Sequence, residues 1–293
     1  MAILTPIDHV IFDFDGTCTD IPAITDNFLR SYLAGLNALL FTSAPVSSTE
    51  WTEALDTVRK ASPDAGWTLS TTPSAPGAAD PYILSYEAAQ LLRRRRQVKD
   101  DVPGKVFEDA DAANLAPLRP ELKDSLLFLK DHGARATFIS NSRPDKIRKF
   151  LDDLFGGATP DFIRVQPGAA KYKIGEPLVG DGSLSGPWLA LFCALPAAVT
   201  CTGLARPVYL RRASYAGAVS AALEGDGGAL SRTLFCGDIW EMDLAMPSYL
   251  GARIHLVARA APFVTYPFEL AEVARAAERA RTSVDLGGLR DWF

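Results

Sequence analysis

The sequence predicts an α/β protein with a doubly wound, mostly parallel sheet and an inserted domain that is mainly helical. Beyond Pro117, short apolar runs alternate with segments of helical periodicity, as strands do when helices cross over between them. One further apolar run precedes this alternation and is separated from it by a stretch of helical and loop character. We therefore expect a core of residues 1–20 and 117–293, an inserted helical domain at 21–116, and a second, smaller insertion in the core at 167–206.

The N-terminal part of this pattern predicts one strand, followed by the helices of the insertion. Residues 10–13 form an apolar run that ends in acidic and glycine residues, which is typical of a buried strand that stops at a loop. Apolar residues at helical spacing predict a helix at 22–41, and a short helix is expected at 49–60 among loop residues. A third helix is expected at 81–96, because Asp80 suits the N-cap and proline suits the first helical position.

The remainder of the chain alternates predicted helices with predicted strands. Helices are expected at 119–131, at 143–154, at 213–223, in a segment that ends at 249, and at 266–281. Strands are expected at 134–139, 161–165, 207–210, 233–236 and 253–257. Such alternation requires crossover connections, which produce parallel strands.

The composition excludes several classes of protein. Hydrophobic residues make up 48% of the 293 residues, which is enough for a sizeable core and excludes a disordered chain. Lys and Arg number 30 against 35 Asp and Glu, and the net charge of -5 argues against a nucleic-acid partner, since such binding needs clustered cations. The cysteines (Cys18, Cys193, Cys201 and Cys236) form no CxxC pair, which favours a reduced, cytoplasmic setting.

One apolar segment, residues 187–199, raises the question of membrane contact. It is shorter than the roughly 20 residues that a spanning helix requires, and Pro196 interrupts it. We expect this segment to lie in the core or at an interface, and we expect no membrane partner.

Polar side chains follow three of the predicted strands, directly after each strand ends. They are Asp13 and Asp15 after the first strand, Ser140 and Asn141 after the second, and Asp238 with Asp243 after the penultimate strand. Ligands of open parallel sheets bind at the carboxyl ends of the strands, so we expect these side chains to converge. Clustered carboxylates repel one another unless a hard cation neutralises them, and carboxylate oxygens suit Mg²⁺. The sequence therefore predicts a Mg²⁺ site at this edge of the sheet.

These residues also form a set of motifs with a known order. The first motif is the run Asp13-Phe14-Asp15-Gly16-Thr17. It is followed along the chain by the apolar strand that ends in Ser140-Asn141, and then by Gly237-Asp238 with Asp243. In this respect the chain resembles the haloacid dehalogenase-like superfamily of aspartate-nucleophile hydrolases, with a Rossmann-like core. The resemblance covers residues 7–20 and about 117–258, and residues 21–116 occupy the position of the family's helical cap.

The resemblance implies catalytic roles for the two aspartates of the first motif. Asp13 is implied to be the nucleophile, which attacks phosphorus and forms an aspartyl-phosphate. Asp15 is implied to protonate the leaving oxygen and then to activate water. Gly16 lets the backbone approach the phosphate closely. A surface turn without a catalytic role is the alternative explanation for this motif, because Asp and Gly favour turns.

The resemblance also implies the ligands of metal and phosphate. Mg²⁺ is implied to be held by Asp13, the backbone carbonyl of Asp15 and Asp238, with Asp243 as a further ligand or as a partner of one. Ser140 is implied to hydrogen-bond a phosphoryl oxygen, with Asn141 beside it. Two of these positions have alternative explanations: the segment 140–142 is also suited to capping a helix that starts at 143, and Asp243 to capping the helix after it.

The cation of the family's third motif has four candidates in this chain. Lys171 and Lys173 closely follow the strand predicted at 161–165, whereas Arg211 and Arg212 stand between a predicted strand and its helix, where the family usually has this cation. We favour Lys171 as the residue that binds phosphate and offsets the charge of the nucleophile. Any one of the four is otherwise explained as a solvated surface charge.

Taken together, the motifs predict a Mg²⁺-dependent phosphohydrolase whose partner is a small phosphorylated metabolite. A dehalogenase is less expected, because displacement of halide from carbon does not require the acid and base chemistry of Asp15. The alternatives are a phosphotransferase or phosphomutase of the same superfamily and a non-catalytic binding protein that retains the scaffold. The substrate would be chosen by residues 21–116 and 167–206, which match no motif.

Overall fold

The computed structural model describes residues 5–69, 72–177 and 184–293. Its strands, in chain order, are β1 (His9–Phe12), β2 (Arg135–Phe138), β3 (Ile163–Val165), β4 (Ala198–Val199), β5 (Val208–Tyr209), β6 (Thr233–Gly237), β7 (Arg253–Val257) and β8 (Ala280–Ser283). Its helices are α1 (Thr25–Leu39), α2 (Ser48–Ala61), α3 (Pro81–Arg95), α4 (Gly104–Ala113), α5 (Leu122–Asp131), α6 (Pro144–Leu154), α7 (Gly186–Ala194), α8 (Ala213–Ala222), α9 (Ala245–Tyr249) and α10 (Pro267–Arg275).

The chain divides into two compact units. The first comprises the chain up to Thr19 together with Leu118–Ala260 and Val264–Phe293, and the second comprises Asp20–Pro117 and Ala261–Phe263. The segment Ala261–Phe263 follows β7, far along the chain from the insertion, and no pattern in the sequence indicated that it belongs with those residues.

A parallel sheet forms the centre of the first unit, in the order β3-β2-β1-β6-β7-β8. The predicted α/β fold with a doubly wound parallel sheet is thereby confirmed. In the register of the sheet, Phe12 lies opposite Phe138 of β2 and Cys236 of β6. The carboxyl ends of these three strands therefore lie side by side at one edge.

Helices cover both faces of this sheet. In β1, Ile11 packs into one hydrophobic cluster, while Val10 and Phe12 pack into another. Alternate residues of a strand point to opposite faces, so burial on both sides explains why the strand is apolar throughout. One cluster takes residues of α7, α8, α9 and α10, and the other takes residues of α5 and α6.

The apolar segment at 187–199 contributes to this core. Trp188 and Phe192 of α7 are buried in the cluster with α8 and the sheet, as the sequence predicted. None of the helices in the three described stretches has both the length and the apolar character that crossing a bilayer requires.

Two expectations about strands were wrong. The strand expected at 207–210 does not enter the main sheet, because Val208–Tyr209 pairs antiparallel with Ala198–Val199 in a sheet of its own. The helix expected at 266–281 ends at Arg275, and Ala280–Ser283 is instead an edge strand of the main sheet. Its residues are half-buried or exposed, so it lacks the apolar run that marks a central strand.

The second unit is helical, as the sequence predicted for the insertion. Asp80 caps α3, and its Oδ1 accepts a hydrogen bond of 2.7 Å from the amide of Ile83. Helix α4 was not anticipated; its Val106 and Ala110 pack against α1 in the core of this unit. Phe263 is buried in the same cluster, which explains why Ala261–Phe263 belongs to this unit.

Two buried histidines connect strands within the main sheet. His9 Nε2 lies 2.8 Å from Thr137 Oγ1, and His255 Nε2 lies 2.7 Å from Ser283 Oγ. Trp292 Nε1 donates to His255 Nδ1 at 3.0 Å, a bond that requires the neutral ring. Burial lowers the pKa of each histidine to about 4. Both rings are therefore neutral in the folded protein at pH values where an exposed histidine is charged.

We predict that His9 and His255 destabilise the first unit as the pH falls from about 6.5 to about 4. In that window the unfolded chain binds a proton at each histidine, whereas the folded chain does not, so the loss approaches about 3 kcal/mol per histidine. Urea unfolding as a function of pH should show a smaller loss for His255→Asn than for the wild type. The exposed His132→Asn is the control. An unchanged pH dependence in His255→Asn would contradict the assignment.

Candidate active site

The edge of the sheet places the residues that follow β1, β2 and β6 next to one another. The amide of Asp13 donates to the carbonyl of Cys236 at 2.9 Å, and the amide of Ile139 donates to the carbonyl of Phe12 at 2.8 Å. The backbone hydrogen bonds of the sheet therefore continue for one residue beyond the ends of β1 and β2. They fix the backbone of Asp13 beside the start of the loops that carry Ser140 and Asp238.

Three aspartates form a buried cluster at this edge. Asp13, Asp238 and Asp243 each offer a carboxylate oxygen, and these oxygens lie within 4.8 Å of one another. The hydroxyl of Thr17 lies 3.2 Å from Asp238 Oδ1 and 3.5 Å from Asp13 Oδ2. Thr17 belongs to the first motif, but no role had been assigned to it. Its hydroxyl therefore lies between two carboxylates of the cluster.

One ammonium group lies against this cluster. Lys171 Nζ is 2.7 Å from Asp13 Oδ1 and 2.9 Å from Asp243 Oδ1, and the side chain is only 1% exposed. The ring of Tyr215 lies beneath the ammonium, 5.3 Å away, and the Tyr215 hydroxyl donates to the Asp243 carbonyl at 2.8 Å. Three carboxylates against one ammonium leave an excess of negative charge. The donor set therefore fits a hard divalent cation.

The ionisation of this cluster is strongly perturbed. Burial raises the pKa of Asp13 to about 7, because it outweighs the opposing effect of Lys171. For Lys171, burial acts to lower the pKa, but Asp13 and Asp243 outweigh it and hold the pKa above its usual value. The lysine is therefore charged at neutral pH, and a further cation beside Asp13 would favour the carboxylate form.

Side chains bind both the backbone amide and the backbone carbonyl of Lys171 and thereby anchor its loop. Asn141 Oδ1 accepts a hydrogen bond of 2.7 Å from the Lys171 amide, and the guanidinium of Arg212 donates to the Lys171 carbonyl. Of the four candidate cations, Lys171 is thus the one whose charge reaches the carboxylates. Lys173 is exposed, and Arg211 pairs with Glu176 at 2.8 Å. Arg212 is buried and holds the backbone of Lys171.

Asp15 lies outside the cluster of three carboxylates. Its Oδ2 accepts a hydrogen bond from Ser142 Oγ, and its Oδ1 lies 3.4 Å from Lys146 Nζ. Lys146 belongs to the first turn of α6, and no motif in the sequence marked it. The contact depends on the packing of α6 beside the first loop, which the sequence pattern does not express.

The capping interpretations of Ser140–142 and Asp243 were wrong. Helix α6 begins at Pro144 with Arg143 as its N-cap, and Ser140 Oγ accepts instead from the Ser142 amide at 3.2 Å. Asp243 Oδ2 accepts at 3.0 Å from the amide of Ile239, which precedes it. The Asp243 side chain thereby closes the π-helical turn Trp240–Leu244 onto the end of β6.

Two glycines allow these loops to approach one another. Gly16 has a φ of +83°, and a Cβ there would lie 2.5 Å from Asp238 Oδ2. A Cβ at Gly237 would lie 2.4 Å from the Cβ of Asp243. The resemblance implied that Gly16 lets the backbone approach a phosphate; in the structure, its lack of a side chain makes room for Asp238.

Comparison with known proteins gives a family for much of the chain. Residues 7–178, more than half of the sequence, match the model of a hydrolase family described as haloacid dehalogenase-like hydrolase. No curated protein matches the sequence. Several solved structures are similar over nearly the whole chain. They include a predicted phosphoglycolate phosphatase from Haemophilus somnus 129pt (14% identity, 99% of each chain, TM-score 0.47), L-2-haloacid dehalogenase from Xanthobacter autotrophicus (14%, 97% of each chain, 0.45) and CbbY from Rhodobacter sphaeroides in complex with phosphate (14%, 97% of this chain and 96% of that one, 0.49).

We predict that Lys171→Met lowers the free energy of unfolding by about 3 kcal/mol or more, because it leaves Asp13 and Asp243 buried without their cation. The matched control is Lys173→Met, two residues along the same loop, which should stay within about 0.5 kcal/mol of the wild type. Urea unfolding in the presence of a chelator measures both. Equal losses in the two variants would contradict a buried ion pair at Lys171.

Proposed function

Because the chain belongs to the haloacid dehalogenase-like hydrolases, we propose that it is a Mg²⁺-dependent phosphohydrolase of a small phosphorylated metabolite. The observation that carries the proposal is the buried contact of 2.7 Å between Asp13 and Lys171, within a cluster that also holds Asp238 and Asp243. A carboxylate fixed beside a cation, with acid groups suited to a metal, is what transfer of an anionic phosphoryl group needs.

In the proposed reaction, an oxygen of Asp13 attacks phosphorus and the bond from phosphorus to the leaving oxygen breaks. Asp15 gives the leaving oxygen its proton. Water then attacks the phosphorus of the aspartyl-phosphate, Asp15 takes a proton from that water, and phosphate leaves while the carboxylate of Asp13 is regenerated. Lys171 stays charged throughout and offsets the negative charge of nucleophile and phosphate.

The proposed metal ligands are Asp13, Asp238 and Asp243, together with the backbone carbonyl of Asp15. Bound Mg²⁺ would neutralise charge on the carboxylates and on the phosphoryl oxygens, so that an anion can attack an anion. Ser140 is proposed to donate to a phosphoryl oxygen, and Asn141 supports the site through the Lys171 amide.

We propose that different parts of the chain carry out catalysis and substrate selection. Residues 1–20 and 117–293 form the catalytic core, residues 21–116 form the cap, and 167–206 are a smaller insertion. The compact units meet in sequence at Thr19 and Asp20 and at Pro117 and Leu118, which supports these boundaries, although Ala261–Phe263 belongs to the unit of the cap. Since the cap, and the smaller insertion apart from Lys171, match no motif, we propose that they choose the substrate.

A test of the function uses p-nitrophenyl phosphate followed by a panel of phosphorylated metabolites. Phosphate release that needs Mg²⁺ and stops with a chelator is the expected result. Transfer of the phosphoryl group to an added alcohol in preference to water would indicate a phosphotransferase. Failure to release phosphate from any member of the panel at saturating Mg²⁺ would favour a binding protein.

We predict that Asp13→Asn abolishes turnover, because the amide has nearly the shape of the carboxylate but is a poor nucleophile. The exposed Asp131→Asn is a matched control and should keep wild-type activity. Steady-state kinetics and thermal unfolding are measured for both. If a folded Asp13→Asn kept more than about a tenth of the wild-type kcat, a barrier change below about 1.4 kcal/mol, Asp13 would not be the nucleophile.

We predict that Asp238→Ala acts mainly on Mg²⁺ binding, because it removes one ligand and leaves the nucleophile in place. Activity should require more Mg²⁺ and recover in part at high concentration. Asp131→Ala, which removes an exposed carboxylate, is the control. A Mg²⁺ dependence in Asp238→Ala that matches the wild type would remove Asp238 from the metal site.

A further inference from the structure

A buried ion pair lies behind the loop that carries Asp238. Arg259 follows β7 and Glu269 lies in the first turn of α10; their side chains are 5% and 0% exposed and pair with each other. Both residues lie beyond the segment that matches the family model. Burying charges this deeply costs free energy unless every polar atom has a hydrogen-bond partner. The groups that Arg259 and Glu269 bind therefore indicate the role of the pair.

The guanidinium of Arg259 uses all five of its N–H groups. Nε and Nη2 donate to the Val264 carbonyl at 3.2 and 2.9 Å, and Nη1 and Nη2 donate to the two oxygens of Glu269. The remaining N–H, on Nη1, donates to the backbone carbonyl of Asp238. A planar fork of this kind fixes its acceptors in direction as well as in distance.

Glu269 completes the contact from the other side. Its Oε1 accepts a hydrogen bond of 3.0 Å from the amide of Trp240, and its Oε2 accepts one of 2.9 Å from the amide of Tyr266. Arg259 therefore holds the carbonyl of Asp238, while Glu269 holds the amide two residues later. The two bonds fix the backbone on both sides of Ile239, where β6 gives way to the π-helical turn that carries Asp243.

We propose that Arg259 and Glu269 are positioning residues that hold Asp238 in the geometry of a metal ligand; this rests on the proposed function only for the presence of the metal. The pair suits this task better than a lone arginine. A single buried cation directly behind Asp238 would repel a divalent ion, whereas Glu269 cancels its charge. The bidentate fork is kept, and the field at the metal site stays negative.

The test measures metal binding, independently of turnover. Calorimetric titration with Mg²⁺, and electron paramagnetic resonance of bound Mn²⁺, are applied to Arg259→Lys, which keeps the charge but loses the fork, and to Glu269→Gln, which keeps the shape but leaves Arg259 uncompensated. Both should weaken binding by about tenfold to a hundredfold, with an altered Mn²⁺ spectrum. The control is Glu272→Gln, one turn along α10, whose partner Arg275 is 54% exposed and which should stay within about twofold.

The outcomes separate this inference from the proposed function. Weakened Mg²⁺ binding in both variants supports the positioning role even if the wild type releases no phosphate from any substrate. Variants that lose thermal stability but bind Mg²⁺ as the wild type does would overturn it, as would a wild type that binds no Mg²⁺. If a variant does not fold, Thr265→Val decides, since it removes only the 2.8 Å bond that Thr265 Oγ1 accepts from the Arg259 amide. It should weaken Mg²⁺ binding, and unchanged binding would count against the proposal.

Discussion

The contact of the Lys171 ammonium with Asp13 and Asp243 is the interaction on which the rest of the site depends. Without that cation, Asp13 would be buried beside Asp243 with no opposing charge, and the pKa of Asp13 would rise further. Lys171 opposes the effect of burial on Asp13, and a metal ion beside Asp13 would favour its carboxylate form further. Asn141 and Arg212 hold the Lys171 side chain in this position, since they bind the backbone amide and carbonyl of Lys171.

Near that contact, two buried ion pairs lie against the turn that follows Asp238. Arg259 and Glu269 bracket the turn after Asp238, and Arg206 binds both oxygens of the fully buried Glu241 at 2.7 and 2.6 Å. Buried charges of this kind add little net stability, but they specify one geometry when every donor and acceptor is paired. The carboxylate cluster is the exception, because its negative charges exceed its one lysine, and that excess is what a metal ion would use.

The sequence predicted the parts of this arrangement that follow from local pattern. The strands with buried apolar runs were expected close to where they lie, and the parallel sheet then brought Asp13, Ser140 and Asp238 to one edge. The sequence pattern did not predict the edge strand Ala280–Ser283, because this segment has no apolar run. Lys171 could be favoured but not singled out, since spacing along a loop does not say which of two lysines turns inward. Contacts such as Lys146 with Asp15 and Arg259 with Asp238 join segments far apart in the chain, and no local pattern encodes them.

We propose that Asp13 becomes covalently phosphorylated in this cluster, and trapping the phosphorylated protein decides whether it does. The enzyme is quenched in acid during turnover of p-nitrophenyl phosphate with Mg²⁺, reduced with borohydride, and analysed by peptide mass spectrometry. Because borohydride reduces an acyl phosphate on an aspartate to homoserine, we expect homoserine at position 13 only when Mg²⁺ is present. Steady phosphate release without homoserine at position 13, or with homoserine at position 15, would contradict it.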